Sequence, residues 1–179
     1  MILVISTCKV PFSEEEFVRP ITEIVESCGY SFHIKRYHEK IDFDEYSKII
    51  VCGTALRDFD YLNYVDVFKP LLNYAGKVLG ICAGYQILAL LYENRLEEVE
   101  KIGIHKVRVI EENPLMPKNE FYAYFLHIYA LSRTNDKLKM LAVQNGEICA
   151  FKVLGKDFYG VAFHPEVLNR EIVERFVSL

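Results

Sequence analysis

The sequence predicts an α/β fold: a mixed sheet, parallel at its centre and antiparallel in its later part, with helices on both faces. Three observations carry that prediction. In the first half, short apolar runs alternate with stretches of helical period, the pattern of strand–helix–strand units. In the second half, strand-like runs follow one another with only turns between them. Between the halves, Gly80-Ile81-Cys82-Ala83-Gly84 joins an apolar strand directly to a helix.

The elements follow in chain order. Residues 1–6 read as a buried strand. A helix start is expected at Ser13, with Glu16 completing a capping box and Phe12 and Phe17 spaced as a hydrophobic staple. Pro20 then demands either a kink or a short turn followed by a new helix with Pro20 in its first turn. Gly29 is a C-terminal stop. Tyr30, Phe32 and Ile34 alternate with polar residues, as in a strand near a sheet edge. Residues 48–52 form the next strand, 61–74 a helix at least up to Pro70, and 77–81 the strand that feeds the Cys82 turn. The helix after it continues through 86–92, with Ile87, Leu88, Leu90 and Leu91 apolar. Residues 102–110 and 121–126 are strand-like, joined by a loop containing Pro114 and Pro117. Leu138–Gln144 and Glu147–Val153 flank Asn145-Gly146, whose residues accept the positive φ of a tight hairpin turn. A strand at 158–163 and a short helix at 169–177 close the chain. No repeat, linker or low-complexity segment interrupts it, and residues 1–179 are expected to form a single domain.

Composition narrows the function classes. The chain has 51% hydrophobic and 26% charged residues and a net charge of −4, which is globular composition without a basic block for nucleic acid. The first residues lack the basic flank of a signal peptide. No apolar run approaches the roughly 20 residues that span a membrane. The five cysteines, Cys8, Cys28, Cys52, Cys82 and Cys149, are widely spaced and odd in number. They point away from a disulfide framework or a zinc site and toward a reducing, cytoplasmic setting.

A lone cysteine beside apolar residues is ordinarily a small core residue. Gly80 and Gly84 change that reading for Cys82. They let the backbone turn sharply and the helix pack close to its strand, as an elbow that exposes a thiol at a helix N-terminus requires. The helix end favours the thiolate, and the N–H of Ala83 then points toward a developing oxyanion. A thiol nucleophile needs a base. Of His33, His38, His105, His127 and His164, the last stands apart in Phe163-His164-Pro165-Glu166, just past an apolar strand. The residue before a proline is pushed into an extended conformation, and extended residues two apart project to one side. His164 and Glu166 are therefore expected to converge as a base and its orienter.

Gly80-Ile81-Cys82-Ala83-Gly84-Tyr85-Gln86 and Phe163-His164-Pro165-Glu166 resemble the two signature motifs of the class I, triad-type glutamine amidotransferases. The resemblance extends over essentially the whole chain. It implies a three-layer, flavodoxin-like α/β domain in which Cys82 attacks the side-chain amide of glutamine, His164 moves the proton and Glu166 holds His164. It implies that Gln86 contacts bound glutamine and that Gly53, in a loop after the third strand, supplies the second oxyanion N–H beside Ala83. Cys52-Gly53-Thr54-Ala55 departs from the family's double glycine followed by proline. Leu126-His127-Ile128-Tyr129 resembles a segment whose backbone holds the amino-acid end of glutamine, with Leu126 in place of a serine; His127 is a candidate substrate contact on that ground, or else a structural histidine. The family's chemistry requires no metal and no organic cofactor.

No phosphate-binding loop and no second synthetase domain are present in the sequence. The resemblance therefore implies a glutaminase that takes glutamine as substrate and passes ammonia to a synthetase subunit on another chain. A stand-alone γ-glutamyl hydrolase using the same three residues is the alternative within the same chemistry. A catalytically silent partner-binding domain is the alternative outside it, and the filled Cys, His and Glu positions argue against it. An intracellular-protease relative shares the elbow but fits the His-Pro-Glu segment less well.

Overall fold

Runs of Val, Ile and Leu without polar alternation make strands buried on both faces, and these form the sheet's centre. In the computed structural model, which describes residues 1–179, the strands are β1 (Ile2–Ser6), β2 (Phe32–Arg36), β3 (Lys48–Val51), β4 (Lys77–Ile81), β5 (Glu97–Val109), β6 (Glu120–Ala130), β7 (Leu138–Gln144), β8 (Glu147–Val153) and β9 (Phe158–Val161). They make one sheet in the order β2-β1-β3-β4-β9-β8-β7-β5-β6. The pairs from β2 across to β9 are parallel and the remaining ones antiparallel. Every residue of β1 and of β9 is buried, whereas β2, at the edge, is only half-buried.

The helices are α1 (Glu14–Phe17), α2 (Arg19–Ser27), α3 (Ala83–Leu91), α4 (Pro165–Leu168) and α5 (Arg170–Ser178). The chain moves from β1 outward to β2 and later from β3 in the opposite direction to β4. Right-handed crossovers then place the connecting segments on opposite faces. On one face α2 packs with α4 and α5; on the other, α3 packs with the segment Asp60–Leu72. Residues 83 to 89 of α3 are all buried, as expected of a helix apolar all round. A continuous core links both halves, from Leu3 and Val4 through Phe125 and Phe151 to Phe176. Each such side chain contributes about 1.5–3 kcal/mol on burial.

Several local expectations are corrected. Ser13 is already helical (φ −67°) and its hydroxyl caps nothing, because a 3-10 turn at Pro11–Ser13 precedes α1. Phe12 is exposed, so no staple forms. The chain meets Pro20 by starting a new helix, α2, with the proline in its first turn. Gly29 (φ +81°) ends that helix as expected. Residues 60–72 form a 3-10 run broken at Tyr64 rather than an α-helix, with Pro70 unable to donate within it. The Asn145-Gly146 turn has φ of +46° and +81°, the positive pair a tight hairpin needs. Strands β5 and β6 are longer than the sequence suggests and form a two-stranded ribbon at the sheet's end.

Candidate active site

Cys82, Gly53 and His164 come from the carboxyl ends of three strands, the customary place for a site on a parallel sheet. Cys82 lies between β4 and α3 with φ +49° and ψ −95°, a conformation rarely adopted by a side-chain-bearing residue. The surroundings hold it there. Its N–H donates to the Val161 carbonyl (2.8 Å) and its carbonyl accepts from Gln86 N–H (3.1 Å). A Cβ on Gly80 would stand 2.5 Å from the Gly84 backbone, and one on Gly84 would stand 2.3 Å from the Val51 carbonyl oxygen. Both glycines are therefore required by close backbone approach. The N–H of Ala83, at the first helical position, has no carbonyl within the helix to receive it.

His164 is extended (φ −103°, ψ 92°) and Pro165 begins α4 immediately after it. The imidazole Nδ1 lies 2.8 Å from Glu166 Oε1, with both side chains about 1% exposed. The two groups converge, though not along an extended segment. Glu166 lies in the first turn of α4, so a strand-to-helix corner brings the carboxylate under the ring. Phe17 and Tyr124 pack on the imidazole at centroid distances of 5.5 and 6.4 Å. Nε2 has no protein partner. Burial opposes charging this ring, but Glu166 and the Cys82 thiol beside it outweigh burial and raise its pKa well above the usual histidine value.

Gly53 touches both groups. A Cβ there would stand 2.5 Å from His164 Cε1 and 3.2 Å from Cys82 Cβ. The loop that carries it is clamped. Thr7 donates to the Cys52 carbonyl (3.0 Å), and Asp58 accepts from Thr54 Oγ1 (2.6 Å) and Lys9 N–H (2.8 Å). The other thiols are placed differently. Cys52 is fully buried, and burial followed by the charge of Glu166 pushes its pKa well up. Burial does the same to Cys149. All five cysteines are unpaired.

Gln86 faces Cys82 from one helical turn on. Its Oε1 accepts a hydrogen bond from the Tyr61 hydroxyl and its Nε2 donates to the Tyr129 carbonyl (2.9 Å). The Cys82 thiol donates to the Leu126 carbonyl (3.5 Å). His127 lines the same cavity, but its ring nitrogens lie close to groups other than Cys82. Nδ1 lies 3.1 Å from the Ala162 carbonyl and Nε2 lies 3.1 Å from Glu147 Oε1. Nδ1 is thus held by the Ala162 carbonyl, whereas Nε2 lies close to Glu147 without an aligned hydrogen bond. Sequence reasoning missed Tyr61 and the Leu126 carbonyl. Tyr61 lies in a segment read only as helical, and a main-chain acceptor carries no residue signature.

The cavity at Cys82 holds only about 10 Å³, room for about one water. Residues 54–56, Asp58, Phe59 and Tyr61 and strand residues Leu126 to Ile128 close it. A groove of about 680 Å³ runs along the outer side of the same loop, sharing Ala55, Asp58 and Phe59 with the cavity wall. No group of three or more His, Cys, Asp and Glu side chains is arranged to hold a metal ion. No helix is long and apolar enough to cross a membrane.

A mixed α/β sheet with a thiol on a strand–helix elbow, facing a carboxylate-held imidazole, defines a class of proteins built for amide and acyl chemistry. The family is shown by sequence: the glutamine amidotransferase class-I profile matches residues 13–177, and the chain belongs to that family. It is 35% identical over 116 residues to a glutamine-hydrolyzing GMP synthase subunit of Methanocaldococcus jannaschii, covering 61% of this chain and 59% of that one. The matched segment thus spans less than two thirds of that relative, and 56% of the corresponding Methanococcus vannielii protein. The imidazole glycerol phosphate synthase subunit HisH of Idiomarina loihiensis is 26% identical over 176 residues, 87% of this chain and 89% of that one. A crystal structure of a Thermoplasma acidophilum chain, provisionally described as a GMP synthase subunit, superposes with a TM-score of 0.83. It covers 99% of this chain and 93% of that one at 19% identity, a likeness of fold.

Proposed function

We propose that this chain is a glutaminase: it hydrolyses the side-chain amide of glutamine through Cys82 and delivers ammonia to a synthase on another chain. The observation that carries the reading is the convergence of Cys82, Gly53 and the Glu166-held ring of His164 at one point. With Nδ1 committed to Glu166, Nε2 is the nitrogen free to take the Cys82 proton. The thiolate adds to the δ-carbonyl of glutamine, and the N–H of Ala83 with the backbone at Gly53 receives the oxyanion; each such donor contributes about 3 kcal/mol. His164 returns its proton to the leaving nitrogen, and the C–N bond breaks to give ammonia and a γ-glutamyl thioester. Water, deprotonated by His164, then cleaves the thioester to glutamate and restores the thiol.

Gln86 and the main chain of residues 126–129 hold the amino-acid end of the substrate, so His127 contributes through its backbone while its ring anchors the strand. Residues 1–179 act as one amidotransferase domain. The two named relatives are each part of a synthase, which supports a synthase as the partner. The face of the β5–β6 ribbon that borders the site suits such docking. Ile104 pairs with Tyr124 and Ile102 with Leu126 there, and Ile102, Ile104 and Tyr122 are exposed. The unpaired cysteines suit the reducing cytoplasm.

The test is glutamate release from glutamine, with and without a co-expressed candidate synthase, for the natural chain and Cys82→Ala. Loss of release in Cys82→Ala is expected, and equal release by the two proteins refutes the reading. Full turnover of γ-glutamyl peptides by the chain alone would favour the hydrolase instead.

A further inference from the structure

Behind the site runs a buried line of charge that neither the family motifs nor the chemistry above uses. Lys101 on β5 lies directly across from His127 on β6. Between these two basic groups stands the carboxylate of Glu147, the first residue of β8. Its Oε1 is 3.1 Å from His127 Nε2 and its Oε2 pairs with Lys101 Nζ, with Glu147 2% and Lys101 10% exposed. The ammonium also donates to Gln144 Oε1 and sits 4.9 Å above the Phe125 ring. The line continues past His127, whose Nδ1 reaches the Ala162 carbonyl, two residues before His164.

Two features mark this as more than a core ion pair. The first is a bulge. From Glu98 to Lys101 strand β5 takes three steps, while β6 takes two, from Tyr129 to His127. In a regular ladder Glu100 would oppose His127; the extra residue brings Lys101 there instead, as bulges beside sites re-aim side chains. The second is energetic. Burying charges costs several kcal/mol per ion, and a well-packed apolar set is often as stable. A buried ion line is therefore poorly explained by stability alone. Its far end meets the site at two places: His127 follows Leu126, whose carbonyl receives the Cys82 thiol, and it grips Ala162 just before His164.

We infer that Lys101 and Glu147 are positioning residues. Acting through His127, they fix the separation between the β6 wall, with the Leu126 carbonyl, and the β9 exit that presents His164, and so hold Cys82 and His164 in reacting geometry. This deepens the glutaminase reading and rests on its assignment of Cys82 and His164.

The experiment reads the thiol without requiring glutamine. Alkylation of Cys82 by iodoacetamide near pH 7 is followed by peptide mass spectrometry for Lys101→Met, Lys101→Arg and Glu147→Gln. Lys139→Met, which removes an exposed pair with Glu111, is the control. Lys101→Met strips the buried Glu147 carboxylate of its ammonium and should lower the melting point, as Glu147→Gln does, so alkylation is compared at a temperature where a melt shows the variant folded, with Lys101→Met as the deciding variant. Misplacement of reacting groups by about 1 Å costs up to about a hundredfold. Lys101→Met and Glu147→Gln should slow Cys82 alkylation by about ten- to a hundredfold, Lys101→Arg should recover most of it, and Lys139→Met should leave it unchanged. With glutamine and a synthase partner, kcat should fall with KM nearly constant. Wild-type alkylation in folded Lys101→Met overturns the inference, whatever happens to its melting point. Slowed alkylation in a protein whose natural form never turns over glutamine would instead refute the glutaminase reading and leave the positioning role standing.

Discussion

Gly53→Ala tests the site where the loop meets both Cys82 and His164. The φ of Gly53 is not positive, so alanine brings no backbone strain of its own and its methyl group is the whole perturbation. That methyl would stand 2.5 Å from His164 Cε1, about 0.9 Å inside the 3.4 Å of ordinary contact. The ring cannot yield freely, because Glu166 holds Nδ1 at 2.8 Å and Phe17 packs on it at 5.5 Å. The loop cannot yield freely either, because Thr7 grips the Cys52 carbonyl and Asp58 ties Thr54 to Lys9. Shared displacement of about 1 Å between His164 and Cys82 corresponds to about a hundredfold loss of rate, or about 2.7 kcal/mol at the transition state. Overpacking adds about 1–3 kcal/mol of destabilisation. Glutamate release and iodoacetamide alkylation of Cys82, alongside a thermal melt, measure both effects. Wild-type turnover and alkylation in a folded Gly53→Ala protein would refute the proposed contact of Gly53 with the reacting groups.

Two further outcomes follow from the same geometry. Because the folded-state pKa of His164 is raised, its charge stabilises the fold fully below the ordinary histidine pKa of about 6.5, and that stability is lost as pH climbs toward the folded value. Melting temperature should thus decline as pH rises above about 6.5, and Glu166→Gln should flatten the decline and cut glutamine turnover at least about a hundredfold; an unchanged pH slope in melting experiments contradicts the pairing. Tyr61→Phe removes the donor to Gln86 Oε1 and should cost about 1–2 kcal/mol of stability, with steady-state assays giving a larger rise in KM for glutamine than fall in kcat; an unchanged KM argues against Gln86 as a substrate contact.

The parts of this structure that backbone constraints dictate were readable from residue identity. Gly80 and Gly84 are glycines because the backbones of Gly84 and Val51 leave no room for a Cβ, so the elbow announces itself in one dimension. Asn145-Gly146 does so for the same kind of reason. His164 and Glu166 were legible as a pair, although a helix start rather than an extended segment joins them. The capping box at Ser13 failed because the preceding Pro11 nucleates a 3-10 turn, which draws Ser13 into helical geometry. Lys101 and Glu147 were illegible. They are 46 positions apart by their numbers, look like solvated charges, and meet only because a bulge sets the register of a ribbon. His127 drew notice as a candidate ligand of substrate, yet its ring serves the interior. Local sequence encodes where the chain must turn sharply, whereas contacts between distant strands depend on a register that no single segment specifies.

The near-absence of space beside Cys82 has a thermodynamic corollary. A cavity of about 10 Å³ leaves no room for glutamine, so the glutaminase reading requires an opened form of the wall before substrate can bind. Free energy spent on opening is subtracted from the affinity of whichever ligand arrives first and spared to the second. A synthase that prefers the opened form and glutamine itself therefore strengthen one another by the same factor. Titrating synthase affinity with and without glutamine reads that factor directly, and its size measures how firmly the resting chain keeps its thiol shut away from solvent amides.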